Sequence, residues 1–330
     1  MPKFKIFVTR KIPESGLNLL KKQKSFAVTV SPFDRVLTRK ELLKNVKGCD
    51  AILTQLTDKI DFEVLKASGP QLKIVANYAV GYDNLDLSAF KKLKIKASNT
   101  PAILTEAVAE HTFGLILAIT KRIVEADKFS RAGKYHGWAP FMFLGPQLEG
   151  KTLGIVGLGR IGFSVAQKAV RGMGMKVVYN DVKPNQDFEK QFQGKYMSLN
   201  QLLKAADIVT LHVPLLPSTR HLISTKQLNL MKKSGYLINT SRGPIVDEKA
   251  LVLALKNKKI SGAALDVWEC EPSIGCDITD HKEMIKLDNI IITPHIASAT
   301  FEARSAMSEL AAKNIIAVLN KKPAPSLIKI

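Results

Sequence analysis

Three polar side chains of this sequence form a set that could do chemistry together: Arg242, Glu271 and His295. They are a permanent cation, an acid and an imidazole. A guanidinium grips a carboxylate and polarises a carbonyl, an imidazole moves a proton near neutral pH, and a carboxylate fixes the ring it bonds. Each follows an apolar, strand-like run: Tyr236–Asn239, Gly262–Asp266 and Asn289–Thr293 respectively. Ligands of open α/β sheets sit beyond the carboxyl ends of the strands, so a doubly wound sheet would gather all three at one crevice. Taken singly, each has an ordinary reading: a surface arginine, a solvated loop acid, a satisfied structural histidine. Among the remaining residues no cluster has the spacing of metal ligands, and no Ser/His/Asp nucleophile motif stands out.

A second feature says what the crevice would hold. In Lys151-Thr-Leu-Gly-Ile-Val-Gly-Leu-Gly-Arg-Ile-Gly162 the spacing Gly157-x-Gly159-x-x-Gly162 joins a strand-like run to a helix-like one. Asp181 closes the next apolar run, Lys176–Asn180. That context makes the glycines a dinucleotide fingerprint. Gly157 permits the tight turn, Gly159 lets backbone approach a pyrophosphate, and Gly162 lets the helix pack closely on the sheet. The helix N-terminus offers N–H groups to the anion, and Asp181 accepts from an adenosine ribose. Such a carboxylate repels a 2′-phosphate, so NADH is expected over NADPH. Lys183 tempers the preference and leaves NADP possible.

These groups need a scaffold, and 330 residues with 46% apolar content suffice for two domains. Strand-like segments at Lys5–Thr9, Ala27–Val30, Ala51–Thr54 and Leu72–Ala76 alternate with helical ones near Ser15–Leu20, Arg39–Val46 and Asp61–Ala67. Such alternation implies a parallel sheet covered on both faces. A long helix is expected at Leu104–Ile123, then an irregular arm, Ala132–Gly150. A second alternating series starts at Lys151, with further strands at Thr152–Val156, Lys176–Asn180 and Ile208–His212. A closing helix, Ser298–Asn320, carries the chain back. The expected division is a discontinuous substrate domain, 1–98 plus 299–330, and a contiguous cofactor domain, 99–298.

The net charge of +20 comes from basic residues scattered through the chain, without aromatic interleaving. A solvated basic surface is favoured over nucleic-acid binding, although the charge can draw anions towards a cleft. Three cysteines, Cys49, Cys270 and Cys276, argue against a disulfide framework. The start reads as a first strand without a cleavage site. The longest apolar run, near Phe113–Ile119, is too short to span a bilayer. A cytoplasmic protein without membrane partners is expected.

Asn77-Tyr-Ala-Val-Gly-Tyr-Asp-Asn84, Asn99-Thr-Pro101, Val108-Ala-Glu-His111, the glycine fingerprint, His212-Val-Pro-Leu215, Ser241-Arg-Gly243, Leu265-Asp-Val267, Glu271-Pro272 and Pro294-His295 stand in one order. In that order the chain resembles the D-isomer-specific 2-hydroxyacid dehydrogenase family over nearly its full length. Phe143-Leu-Gly145 and Ala311–Ala317 are most similar to its glyoxylate and hydroxypyruvate reductase branch. The resemblance implies two Rossmann- or flavodoxin-like doubly wound parallel-sheet domains separated by a cleft, closing about Asn99 and Ala297. It implies NAD as cofactor, a small 2-keto or 2-hydroxy acid as substrate, and a homodimer with the 132–150 arm at its interface.

The resemblance also implies residue roles. Val80 and Gly81 would offer backbone N–H groups to the substrate carboxylate. Arg242 would bind the carboxylate and polarise the C2 carbonyl. His295 would give a proton to the carbonyl oxygen, with Glu271 on its other ring nitrogen. Thr105 and Asp266 would lie near the nicotinamide, with Thr240 and Ser241 at the same end. Arg160 and Ile161 would meet the pyrophosphate, and His212, Val213, Pro214 and Thr219 would line the adenosine and pyrophosphate groove. Trp138 and Trp268 are expected as apolar walls, His111 as a packing or polar-network residue. His136, His221 and His281 have no partner pattern. The stretch 273–281 is longer than usual for this branch. Val80 stands where phosphite dehydrogenases of the family carry lysine, and Glu271 where formate dehydrogenases carry glutamine, which disfavours both activities. Transcriptional corepressors resemble the family too, so an NAD-sensing binding protein on the same scaffold is the alternative.

Overall fold

The computed structural model describes residues 3–269, 271 and 279–330. Cys270, and the 272–278 stretch with Cys276, lie outside the described residues, and with them most of the long 273–281 segment. The chain forms two compact units, Met1–Leu104 with Ala299–Ile330, and Thr105–Ser298. Residues 99–104, expected in the second unit, stay with the first. The reason is local: the Asn99 N–H donates to Ser326 O (3.3 Å), the Thr100 N–H to Ala79 O (2.8 Å), and Ser326 Oγ to Asn99 O (2.7 Å).

In the first unit, β1 (Phe4–Val8), β2 (Phe26–Val30), β3 (Ala51–Gln55), β4 (Ile74–Tyr78) and β5 (Lys96–Ser98) form a parallel sheet of order β2-β1-β3-β4-β5. The centre of the sheet is buried on both faces: Ala51–Thr54 of β3 and all of β4 are buried, and each strand opens on three consecutive apolar residues. Connecting helices start at side-chain caps: Thr38 forms a capping box with Glu41, and Asp61 and Asp86 cap the Phe62–Ser68 and Leu87–Leu93 helices. The returning helix, Phe301–Leu319, packs on Glu14–Lys21, where the Gly16 N–H donates to Ser308 Oγ at 3.1 Å. A Cβ at Gly16 would lie 2.2 Å from Ser308 O, so only glycine fits this crossing.

The second unit holds β6 (Thr152–Val156), β7 (Lys176–Asn180), β8 (Lys195–Tyr196), β9 (Ile208–Leu211), β10 (Tyr236–Asn239), β11 (Gly262–Leu265) and β12 (Ile290–Ile292). They form a parallel sheet of order β12-β11-β10-β9-β6-β7-β8. The order reverses between β6 and β9, the switch point at which doubly wound sheets bind ligands. Two apolar clusters cover the sheet, one around Leu202, Leu251 and Leu265, the other around Ile116, Ile155 and Tyr179.

Most strands fall within two residues of the sequence reading; β5 and β8 were not foreseen. The helix expected at Leu104–Ile123 forms as Thr105–Thr120, and a second helix outside the sequence reading, Ile123–Arg131, follows it. The break falls at Arg122, whose φ of 54° is left-handed and whose guanidinium pairs with Glu125. The 132–150 arm contains no helix or strand. Trp138, expected as a wall, is 81% exposed, and Tyr135, Phe141 and Leu144 are also exposed.

Candidate active site

Between β6 and the Arg160–Met173 helix the three glycines do separate jobs. Gly157 has φ 95°, and a Cβ there would lie 2.8 Å from the His212 backbone. A Cβ at Gly162 would meet Gly157 O at 2.1 Å, so this glycine sets the approach of helix to strand. Gly159 is the N-cap, no side chain caps the helix, and a Cβ there would meet nothing within 4 Å. A helix N-terminus with uncapped N–H groups behind an open glycine is a cradle for a phosphate anion. Thr105, Leu158, Gly159, Arg160 and Ser164 line an open hollow of about 480 Å³ at this turn. Ile161 is half-buried beside it.

Asp181 follows β7 and reaches back to the glycine turn. Its Oδ2 accepts from the Leu158 N–H at 2.7 Å, its Oδ1 from the Val182 N–H at 2.6 Å. An ionised carboxylate accepts about four hydrogen bonds, so lone pairs stay open to a diol. A hollow of about 490 Å³ opens on Asp181, with Leu158, Lys183 and Asn185 on its walls. These residues fit a dinucleotide: an anion cradle at the switch point, and an acceptor at the end of the next strand.

Across the switch point, past β9, lie His212, Val213, Pro214 and Thr219. The His212 ring contacts Thr210 Oγ1 at 2.8 Å, and burial pushes its pKa down to about 3. Its imidazole is therefore neutral and bonded to Thr210 at the carboxyl end of β9. Thr219 Oγ1 donates to Pro214 O (2.6 Å) and accepts from the Leu216 N–H (2.8 Å), closing its own turn. Val213 is half-buried and Pro214 exposed.

Arg242, Glu271 and His295 lie past the carboxyl ends of the neighbouring strands β10, β11 and β12. Asn239 organises the first: its Oδ1 accepts from the Ser241 N–H and Oγ (3.1 and 2.9 Å), and its Nδ2 donates to Arg242 O (2.9 Å). Arg242 itself donates to Ser241 O at 2.8 Å. Thr240 is buried and shares a hydrogen bond with Thr112 (3.0 Å). The second and third catalytic candidates meet: Glu271 Oε2 lies 3.1 Å from His295 Nδ1. With Nδ1 held by a carboxylate, Nε2 is the ring atom left to exchange a proton.

What holds His295 in place was not legible beforehand. Asp266, expected beside the nicotinamide, is fully buried with both carboxylate oxygens on the 293–297 segment. Oδ1 accepts from Thr293 Oγ1 (2.6 Å) and the Ile296 N–H (2.9 Å), and Oδ2 from the Ala297 N–H (2.7 Å). Its backbone carbonyl accepts from the His295 N–H at 2.9 Å. His111 joins the network, with Nε2 3.2 Å from Thr293 Oγ1 and 3.3 Å from Asp266 Oδ1. The segment can thus keep His295 at φ 51°, a left-handed conformation uncommon outside glycine, though histidine adopts it more readily than most residues. Burial pushes the Asp266 carboxyl up, but hydrogen bonds from His111, Thr293 and the two N–H groups outweigh it and hold the group below the usual carboxylate range. His221, without a partner in the sequence reading, bonds Glu269 at 2.5 Å. Trp268 packs against the core, and its carbonyl lies where a Cβ of Gly243 would sit.

In the first unit, Val80 and Gly81 follow β4 in a half-buried turn. The Val80 carbonyl accepts from Asn99 Nδ2 (2.7 Å) and the Gly81 carbonyl from Asn77 Nδ2 (2.9 Å).

Residues 113–297 match the family model of the D-isomer specific 2-hydroxyacid dehydrogenase, NAD binding domain. The chain is 48% identical over 330 residues to a glyoxylate reductase of Thermofilum pendens, covering 99% of this chain and 95% of that protein. It is similar to the crystal structure of an NADPH-dependent glyoxylate/hydroxypyruvate reductase from Sinorhizobium meliloti in complex with NADP and malonate. There the TM-score is 0.83 at 31% identity, covering 99% of this chain and 97% of that one. A glyoxylate reductase from Paecilomyes thermophila superimposes with a TM-score of 0.86 at 30% identity, covering 99% of each chain.

The Asp266 network carries a stability consequence. A carboxyl lowered on folding stabilises the protein above its unfolded pKa of about 3.9, and that stability is lost as pH falls through the folded value. Asp266→Asn should cost roughly 2–4 kcal/mol in urea unfolding at pH 7, since an amide cannot accept at both positions. The gap between variant and wild type should narrow below about pH 4. An equal gap at pH 7 and at pH 3 would refute the role of the ionised group.

Proposed function

Because the chain belongs to the D-isomer-specific 2-hydroxyacid dehydrogenase family, we propose that it reduces a small 2-keto acid, glyoxylate or hydroxypyruvate, to the 2-hydroxy acid. The product from larger substrates has the D configuration. The chain is an NAD(P)-dependent oxidoreductase with an NAD-binding domain. The observation that carries the substrate reading is the Glu271–His295 pair, at 3.1 Å, on the carboxyl side of the sheet whose β6 turn forms the dinucleotide cradle.

Each group has one task. When bound, NADH supplies the hydride that C2 of the keto acid accepts. His295 Nε2 delivers a proton to the carbonyl oxygen, so that hydride and proton together make the alcohol. Glu271 keeps the ring oriented through Nδ1 and stabilises the ring while it is protonated. The Arg242 guanidinium binds the carboxylate and draws electron density from the carbonyl. In the first unit the N–H groups of Val80 and Gly81 receive the carboxylate. Asp181 accepts from the adenosine ribose and repels a 2′-phosphate, so NADH is preferred although Lys183 lines the same hollow.

A homodimer completes the proposal. Tyr135, Trp138, Phe141 and Leu144 of the 132–150 arm are exposed large apolar side chains in one short segment, and clustered exposed apolar side chains mark interaction surfaces. A second copy of the chain is the occupant proposed. Sedimentation equilibrium should give twice the chain mass at micromolar concentration, and a monomer there would reject the arm as an interface.

Activity is tested by following NADH and NADPH oxidation over a panel of 2-keto acids. His295→Ala should lower kcat by about a hundredfold or more. Asp181→Ser should raise the NADPH to NADH ratio of kcat/KM by about tenfold, the value of one ionic interaction of roughly 1.4 kcal/mol. A His295→Ala enzyme within about twofold of wild type, where general acid catalysis is worth far more, would remove the proton-donor assignment. A wild type that prefers NADPH would overturn the role of Asp181.

A further inference from the structure

We propose that Asn99 is a positioning residue for the substrate anion: its side-chain amide, with the Thr100 N–H beside it, aims the backbone N–H groups of Val80 and Gly81, and Asn77 braces the peptide plane that follows. The inference rests on the reading that these N–H groups receive a carboxylate. It concerns what makes them able to.

Past β4 the chain turns through Ala79, Val80 and Gly81, and all three carbonyls are held. Ala79 O accepts from the Thr100 N–H (2.8 Å), Val80 O from Asn99 Nδ2 (2.7 Å) and Gly81 O from Asn77 Nδ2 (2.9 Å). In a trans peptide the N–H points opposite to the C=O of the same plane. Fixing Ala79 O on Thr100 therefore turns the Val80 N–H away from Thr100. Fixing Val80 O on Asn99 turns the Gly81 N–H away from Asn99. The two anchors are neighbours in sequence, so both N–H groups leave the side that faces residues 99–100. Among the described residues neither N–H has an acceptor. Successive backbone N–H groups presented this way form an anion-binding concavity.

Asn77 makes the arrangement rigid. It is fully buried and pairs reciprocally with Asn84, at 3.1 and 3.2 Å. Asn84 Nδ2 in turn donates to Gln55 O (3.1 Å) and Asp58 O (3.0 Å), which ties the turn to the end of β3. Rotating either peptide plane would strip a half-buried carbonyl of its partner. Residues 79–81 contain no cationic side chain, so their contribution to anion binding is dipolar and depends on orientation.

Steady-state kinetics and oxalate binding test this. Asn99→Ala leaves Val80 O without its donor. The KM for glyoxylate should rise about tenfold, the value of one hydrogen bond, while kcat and the KM for NADH stay within about twofold. Asn99→Ser retains a shorter donor and should recover part of the loss. Calorimetric titration of oxalate into the protein with NADH should show the same order, wild type tightest and Asn99→Ala weakest. An unchanged glyoxylate KM in Asn99→Ala, or a KM for NADH and a kcat that shift in step with it, would overturn the positioning role. If wild type turns over no 2-keto acid yet oxalate binding weakens in Asn99→Ala, the substrate reading fails and the anion site stands. If wild type turns over and binds oxalate but both Asn99 variants match it, the inference alone fails.

Discussion

The buried carboxylate of Asp266 is the constraint on which the 293–297 segment, and with it His295, depends. β12 is a three-residue edge strand, and the 293–297 segment after it has no helix or strand of its own. Two of its N–H groups and one hydroxyl end on Asp266, and the Asp266 carbonyl takes the His295 N–H. A hydrogen bond to an ionised group is worth about 1.5–3 kcal/mol, and a left-handed non-glycine residue costs about 1–3 kcal/mol. Three such bonds exceed the strain at His295, so the ring can keep a conformation that a free loop would abandon. The position of the imidazole against Glu271 then follows from a residue that need not touch the reacting atoms.

The glycine turn obeys the same logic with backbone in place of side chains. Gly157 and Gly162 are glycines because carbonyls occupy the space of a Cβ, whereas Gly159 is one where space is open. The first two fix how the helix leaves the sheet. The third keeps its N-terminus accessible to an anion. Asp181 links the parts: accepting from the Leu158 N–H, it braces the glycine turn from the end of β7.

How much of this was legible in the sequence follows from the range of the interactions. The fingerprint, the strand ends and the Arg242, Glu271 and His295 set are local patterns of residue type, and the family resemblance placed them in order. β5 and β8 are three and two residues long and carry lysines, so no apolar run announces them. The break at Arg122 follows from contacts to Glu125 and a left-handed turn, which helical periodicity does not encode. Asp266 stands next to a strand end, where a ligand role is the natural reading. That its partners lie some 30 residues on, at Thr293, Ile296 and Ala297, is a tertiary fact. The Asn77, Asn84 and Asn99 amides stand in motifs of the sequence, but the carbonyls they hold, those of Gly81, Gln55, Asp58 and Val80, are tertiary partners that residue type does not encode.

The claim that Asp266 fixes the His295 imidazole is tested most directly by NMR of protein labelled with ¹⁵N only in its six histidines. Wild type should show a slowly exchanging Nδ1–H resonance for His295, bonded to Glu271, and Asp266→Asn should lose it although both partners remain. Persistence of that resonance unchanged in Asp266→Asn would contradict the account.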